Sequence, residues 1–250
     1  MDIQGTRALV TGGSSGIGLH LALALAEAGA EEVVITGRNP ERLAAAAAQH
    51  ERLTAAVCDV TDDAAIIALR DELAGRGGVD MLINNAGVFH GFDVTLGYPL
   101  EKQLQEVDID VNGPLRMVHH FLPGLLERPS VLVNVSSGLA FIPLAQAPVY
   151  SACKAFVHAW TQGLRAQLAG TSVRVMELMP PVVDTPMVAE LDPSFPRMAP
   201  EVLASAFVAG LRGRSDEITP GQSGQLKWMR RIAPGFIFGQ INKQPRPPAS

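Results

Sequence analysis

Thr6-Arg7-Ala8-Leu9-Val10-Thr11-Gly12-Gly13-Ser14-Ser15-Gly16-Ile17-Gly18 is the stretch whose reading decides the fold. Thr6 to Thr11 is a short apolar run of the kind that forms a buried strand. Glycines follow at once, and the apolar segment Ile17 to Ala28 then reads as a helix, with Gly29 suited to its C-terminal cap. Glycines let the backbone turn sharply and approach a pyrophosphate, while a helix start offers unpaired N–H groups and a positive dipole end. The spacing here is Gly-x3-Gly-x-Gly, which departs from the commoner Gly-x-Gly-x-x-Gly fingerprint. The loop alone therefore leaves an ordinary glycine-rich turn open.

Outward from this unit, apolar runs and helical stretches keep alternating. Val33–Thr36, Leu53–Cys58, Val79–Asn84, Val131–Val135 and Val173–Leu178 read as strands. Asn39 and Pro40 open a helix that the alanine-rich Leu43–Ala48 continues. Another helix begins near Asp62, a long helical stretch runs from about Leu100 to Leu126, and Tyr150–Leu168 is a third. This alternation predicts an α/β fold, a single doubly wound parallel sheet of Rossmann type with helices on both faces. The whole chain, 1–250, reads as one dinucleotide-binding domain. Pro186, Pro193, Pro196 and Pro200 mark an irregular segment, expected to be a substrate lid at about 185–205.

The 250 residues are 47% hydrophobic and 18% charged, enough apolar content for one large core and too much for a disordered chain. No segment approaches the length of a membrane span, and Met1–Gly5 lacks the pattern of a secretory signal. A net charge of −5 argues against nucleic acid as a partner. Cys58 and Cys153 alone make neither a disulfide framework nor a thiolate metal site. A cytoplasmic protein without bound metal is expected. The exception to the acidic balance is the tail, 212–250, where seven Lys/Arg stand against two Asp/Glu beside Trp228, Phe236 and Phe238. The tail is read as packing its aromatics on the domain or on a partner subunit, in preference to resting on a membrane. Gln244 to Ser250 is proline-rich and expected to fray.

Two places carry chemistry beyond the loop. At the end of the second strand, Gly37-Arg38 stands where an acidic residue would grip a ribose 2′-hydroxyl, and the Arg38 guanidinium suits a 2′-phosphate. Tyr150 and Lys154 lie four residues apart at a helix start and share a face. An ammonium beside a phenol is expected to lower its pKa and make Tyr150 a proton donor and acceptor. Ser137, thirteen residues earlier, ends the strand Val131–Val135, so its hydroxyl reaches the same sheet edge. His119 and His120 are adjacent in a helix and cannot share a face as metal ligands, and Cys153 reads as small helix filler. Phe89, Leu139, Phe141 and Met187 are candidates for an apolar pocket lining.

The loop TGGSSGIG, the segment Asn84-Asn85-Ala86-Gly87, Asn112 within VDIDVNG, Ser137 in NVSSG and Tyr150-Ser151-Ala152-Cys153-Lys154 resemble the short-chain dehydrogenase/reductase superfamily over about Gly5 to Pro186. NVSSGLAFIPLAQAPVYSACKAF with Met179-Pro180-Pro181 is similar, more narrowly, to its DltE-like bacterial oxidoreductases. The resemblance implies roles by position. Tyr150 exchanges a proton with the substrate oxygen; Lys154 holds the nicotinamide ribose; Ser137 binds the carbonyl; Asn112 supports a proton relay. Gly12, Ser14, Ser15, Gly16, Ile17 and Gly18 take the phosphates, and Asp59 and Val60 flank the adenine. Asn84 and Gly87 lie beside the cofactor, and Val183 and Thr185 contact the carboxamide. Pro181 stands where the family usually has glycine.

The expected activity is hydride transfer between NADP(H) and a small carbonyl/secondary alcohol pair. The rivals are an NAD-preferring alcohol dehydrogenase, a dinucleotide-binding redox sensor without turnover, and a sugar-nucleotide epimerase or dehydratase. Intact Ser137, Tyr150 and Lys154 weigh against the sensor; chain length and glycine spacing weigh against the epimerase. By resemblance, a homodimer or homotetramer is expected through Gln103–Leu126 and Tyr150–Leu168.

Overall fold

Alternation of side chains along each strand builds two cores at once. The computed structural model describes residues 2–189 and 195–243. Its sheet comprises β1 (Arg7–Thr11), β2 (Glu32–Gly37), β3 (Leu53–Val57), β4 (Met81–Asn84), β5 (Ser130–Val135), β6 (Val173–Leu178) and β7 (Glu217–Ile218). All neighbours pair in parallel in the order β3-β2-β1-β4-β5-β6-β7. Ala8, Val10, Val33, Ile35, Met81 and Ile83 point into one core, while Leu9, Val34 and Leu82 point into the other. A sheet buried on both faces needs such continuous apolar strands, which is why each reads as a run.

Helices α1 (Gly16–Glu27), α2 (Pro40–Ala47) and α7 (Pro200–Arg212) cover the first face. There Leu21 and Leu25 of α1 and Phe207 of α7 share one core, all fully buried. The second face carries α3 (Asp63–Gly75), α5 (Gly113–Leu126) and α6 (Pro148–Gln167). Local chemistry sets the boundaries. Asn39 caps α2 by accepting from the Arg42 N–H at 2.8 Å, with Pro40 in the first turn, and Asp62 caps α3 through two amides.

Three features depart from the sequence reading. The expected helix Leu100–Leu126 is interrupted: α4 (Leu100–Val107) runs through a π-helical turn, Asp108–Asn112, into α5. Beyond β6, α7 leads to the two-residue edge strand β7, too short to leave a pattern. The tail then forms α8 (Gln222–Ile232) and α9 (Pro234–Ile241). Its aromatics do not pack on their own domain. Trp228, Phe236 and Phe238 are exposed, while Leu226, Ile237 and Ile241 pack on Phe141, Ile142 and Met179.

The expected lid is also divided. Val183 bridges to Met198, Arg197 pairs with Asp184 at 3.2 Å, and 200–205 already belongs to α7. Residues 190–194 of the expected lid, with Pro193, and 244–250 of the tail lie outside the described residues. Among the described residues no helix is long and apolar enough to cross a membrane.

Candidate active site

The carboxyl ends of β1 to β6 open onto one cavity of about 640 Å³. In a parallel sheet this edge, where strand order reverses beside β1, is where ligands bind. The glycine loop forms one wall. Gly12 adopts φ +66°, and a Cβ there would lie 2.8 Å from the Ala86 Cα. At Gly18 a Cβ would collide with the Asn85 amide and the Gly12 carbonyl. The turn thus closes on the β4 segment and leaves a shallow cradle at the α1 N-terminus, which fits a pyrophosphate.

Of the residues expected to hold a cofactor, Gly12, Ser14, Ser15, Gly16, Ile17, Gly18, Arg38, Asp59, Val60, Gly87, Val183 and Thr185 all line this cavity. Asn84 does not. It is buried at the end of β4 and donates to Asn134 Oδ1 at 2.9 Å, a bond between strands. Its neighbour Asn85 lines the cavity instead, donating to the Thr11 carbonyl at 2.9 Å and so tying β4 to the loop. Arg42 is an addition. In the first turn of α2, its guanidinium donates to Ser15 Oγ at 3.1 Å, so a second cation reaches the phosphate loop. Arg38 lies before the Asn39 cap, so no helical spacing linked the two in the sequence.

At the other end Ser137, Tyr150 and Lys154 converge. Lys154 Nζ lies 5.3 Å from the Tyr150 ring centroid and donates to the Val135 carbonyl at 3.4 Å. Ser137 hydrogen-bonds the Tyr150 phenol and accepts from the Leu139 N–H at 3.1 Å. Phe89 packs edge-on to Tyr150 at 5.1 Å. The expected lowering of the Tyr150 pKa does not hold in the protein alone. Burial pushes the phenol up, Lys154 pulls it down, Asp110 and Glu106 push it up again, and the Ser137 bond lowers it; the net direction is upward. A phenol that keeps its proton is set to donate one.

Asn112 is not brought to this group. Its amide donates to Asp108 Oδ1 at 3.1 Å, outside the cavity lining. The side chain beside Lys154 is Asp110, two residues earlier: its Oδ2 lies 3.6 Å from Nζ, and both side chains are buried. Asp110 holds Lys154 charged. Burial lowers the ammonium, Asp110 and Tyr150 raise it, and the net shift is upward.

Near the Tyr150 end the wall is apolar. Phe89, Leu139 and Met187 line it as anticipated, joined by Leu226, Met229 and Ile237 from the two C-terminal helices. Phe141 does not; it lies in the small core beneath them, its ring 5.9 Å from the Arg230 guanidinium. Pro181 takes part in the lining, and the Gly138 N–H donates to the preceding Pro180 carbonyl at 3.0 Å. His120 pairs with Asp63 at 2.8 Å, and Cys153 is buried with its thiol pushed up to about 12 by burial.

A parallel sheet of this order, a glycine cradle at its switch point and a Ser/Tyr/Lys cluster at one edge define a dinucleotide-binding oxidoreductase. The chain belongs to the short chain dehydrogenase family, whose model matches residues 6–194. It is 36% identical over 251 residues to the uncharacterized oxidoreductase DltE of Bacillus subtilis (strain 168), covering 98% of this chain and 99% of that one. Its fold matches a short chain dehydrogenase from Burkholderia cenocepacia J2315 in complex with NADP, with a TM-score of 0.87, 28% identity and coverage of 96% and 99%. A short chain dehydrogenase/reductase from Burkholderia phymatum in complex with NAD shares the fold with a TM-score of 0.84 at 22% identity, covering 99% of each chain.

Proposed function

We propose that this oxidoreductase uses NADP(H) to interconvert a carbonyl compound and its secondary alcohol, with Tyr150 exchanging the proton. The observation that carries the reading is the convergence of Ser137, Tyr150 and Lys154 at one end of a cavity whose other end holds Arg38 and Arg42. Gly12, Ser14, Ser15, Gly16, Ile17 and Gly18 would hold the pyrophosphate. Arg38 and Arg42 would take the 2′-phosphate, Asp59 and Val60 the adenine, Asn85, Gly87 and Lys154 the nicotinamide ribose, and Val183 and Thr185 the carboxamide. When bound, the nicotinamide supplies or takes the hydride. Ser137 holds the substrate oxygen by a hydrogen bond, and Tyr150 protonates it in reduction or accepts its proton in oxidation.

The two solved structures carry different cofactors, so the choice of the phosphorylated one rests on the two arginines. Apolar walls from Phe89, Leu139 and Leu226 favour an uncharged, hydrophobic substrate. The whole chain is taken as one domain of a cytoplasmic protein. A homodimer or homotetramer is supported by Leu100 and Leu104 on α4 and Phe156 on α6, all exposed. Tyr150→Phe tests the assignment, since it deletes the hydroxyl and keeps the ring. Turnover of any ketone, aldehyde or quinone found by screening with NADPH should fall on the order of 100-fold or more, with cofactor binding intact. Near-parental turnover would remove Tyr150 from the chemistry.

A further inference from the structure

Outside the cavity lining, two buried carboxylates stand behind Lys154. Asp110 and Glu106 are four residues apart, 1% and 0% exposed. Each has one oxygen fastened to the segment after β4. The Val88 N–H donates to Asp110 Oδ1 at 2.8 Å, and the His90 N–H donates to Glu106 Oε1 at 2.7 Å. Two amides of this one segment, two residues apart, therefore hold both carboxylates against it. Their second oxygens, Asp110 Oδ2 and Glu106 Oε2, accept no hydrogen bond among the described residues. The cation facing them is Lys154, whose Nζ lies 3.6 Å from Asp110 Oδ2.

Charge counting decides the protonation. Two ionised carboxylates against one ammonium would leave a net negative charge in a place without solvent, which is costly. Of the other titratable groups near the pair only His90 opposes it, and its pull on Asp110 is weaker than that of Lys154 or the Val88 amide. Tyr150 and Cys153 face it from α6, and both are held un-ionised by burial. His90 and Tyr98 face it from the segment between β4 and α4. The pair accordingly retains one proton.

We propose that Glu106 and Asp110 are positioning residues that form a proton reservoir for Tyr150, acting through Lys154. The proposal rests on the reading of Tyr150 as proton donor. As Tyr150 gives its proton to the substrate oxygen, the phenolate takes one from the Lys154 ammonium. The amine takes one from the carboxylate pair, and solvent restores that proton from the His90 side of the segment. Each O–H or N–H formed matches one broken, and the sequence moves no electrons. Burial pushes Glu106 up to about 7, with Asp110 adding to the rise against the His90 amide and Lys154, and it pushes Asp110 up as well. A proton held near neutral pH is one that can be both given and recovered.

Two measurements without turnover test the reservoir. In infrared difference spectra between about pH 5 and pH 9, most of the 25 Asp and Glu side chains are already ionised at the lower end. A carboxylic-acid signal should titrate with a midpoint near 7 and vanish in Glu106→Gln. The chain has two tyrosines, so in a Tyr98→Phe background near-ultraviolet absorbance reads Tyr150 alone. Glu106→Gln should lower the phenol midpoint by about half a unit or more, because it removes a nearby negative charge; Glu106→Asp should restore it. Absence of the titrating acid signal in the parent protein overturns the proposal even if the Gln variant fails to fold. An unmoved Tyr150 midpoint in folded Glu106→Gln overturns it too. Failure of the proton-donor reading shows separately, as turnover by Tyr150→Phe.

Discussion

Replacing Arg38, Arg42 or both by leucine should separate the two cofactors by amounts that the structure sets. Both guanidiniums reach the phosphate-loop end of the cavity, and the Arg42 bond to Ser15 holds the second one in place. A hydrogen bond to a charged group contributes about 1.5–3 kcal/mol. Both arginines are exposed, so the lower figure applies to each. One removal should cost NADPH about 10-fold in affinity, and both together about 100-fold, with NADH affinity unchanged. Gly37→Asp combined with Arg38→Leu goes further. A Cβ at Gly37 meets nothing closer than Ser14 Oγ at 3.4 Å, so the new carboxylate is accommodated where it repels a 2′-phosphate and can accept from a ribose hydroxyl. That variant should prefer NADH. Titration calorimetry with each cofactor, in the parent and the variants, needs no substrate. Equal parental affinity for the two cofactors, or no loss of NADPH affinity in the double leucine variant, would show that these arginines are only surface charges.

Glu106 also makes stability depend on pH. Its pKa rises from 4.5 to about 7 on folding, so between those values the folded chain holds a proton that the unfolded chain has lost. Stability from this group is therefore present below about pH 4.5 and falls as pH rises to 7, by about 3 kcal/mol in all. Unfolding free energies from urea titrations at about pH 5 and pH 8 should fall by most of that amount in the parent and not in Glu106→Gln; an equal change in both would contradict the burial argument. Gly12→Ala forces a side chain into a left-handed backbone and against Ala86, so it should cost about 1–3 kcal/mol and weaken both cofactors alike. A variant with parental affinity would show that the cradle adapts.

The strands were readable because both sheet faces are buried, which leaves runs such as Ala8–Val10 and Val131–Val133 without polar interruption. β7 was not, since two residues carry no period. Ser137, Tyr150 and Lys154 followed from strand-end and helix-start positions that parallel topology fixes. Asn84 and Asn112 show where such reasoning stops. Side chains alternate along an extended strand, so Asn84 turns inward to Asn134 and Asn85 outward to the loop, yet the two letters are identical. For Asn112 the deciding quantity was helical phase, which the π-helical turn alters without any mark in composition. The direction of the Tyr150 shift was missed for a different reason. The sequence showed the nearby ammonium, while the burial and the two carboxylates come from distant segments.

The turn at Asp108–Asn112 works as a slack link that takes up one extra residue without disturbing either flank. An α-helix advances roughly 100° per residue, whereas a π-helical turn closes its hydrogen bonds one residue later and so spreads five residues over little more than the rotation of four. Glu106 before the turn can therefore meet the His90 amide while Met117, Val118, Phe121 and Leu125 after it stay pressed on the sheet. Deleting one residue there, so that uniform winding resumed, would leave both flanks nearly in phase. Such a deletion would instead change which side chain stands where Asp110 meets Lys154. The core would tolerate the shorter link, and the chemistry would register it.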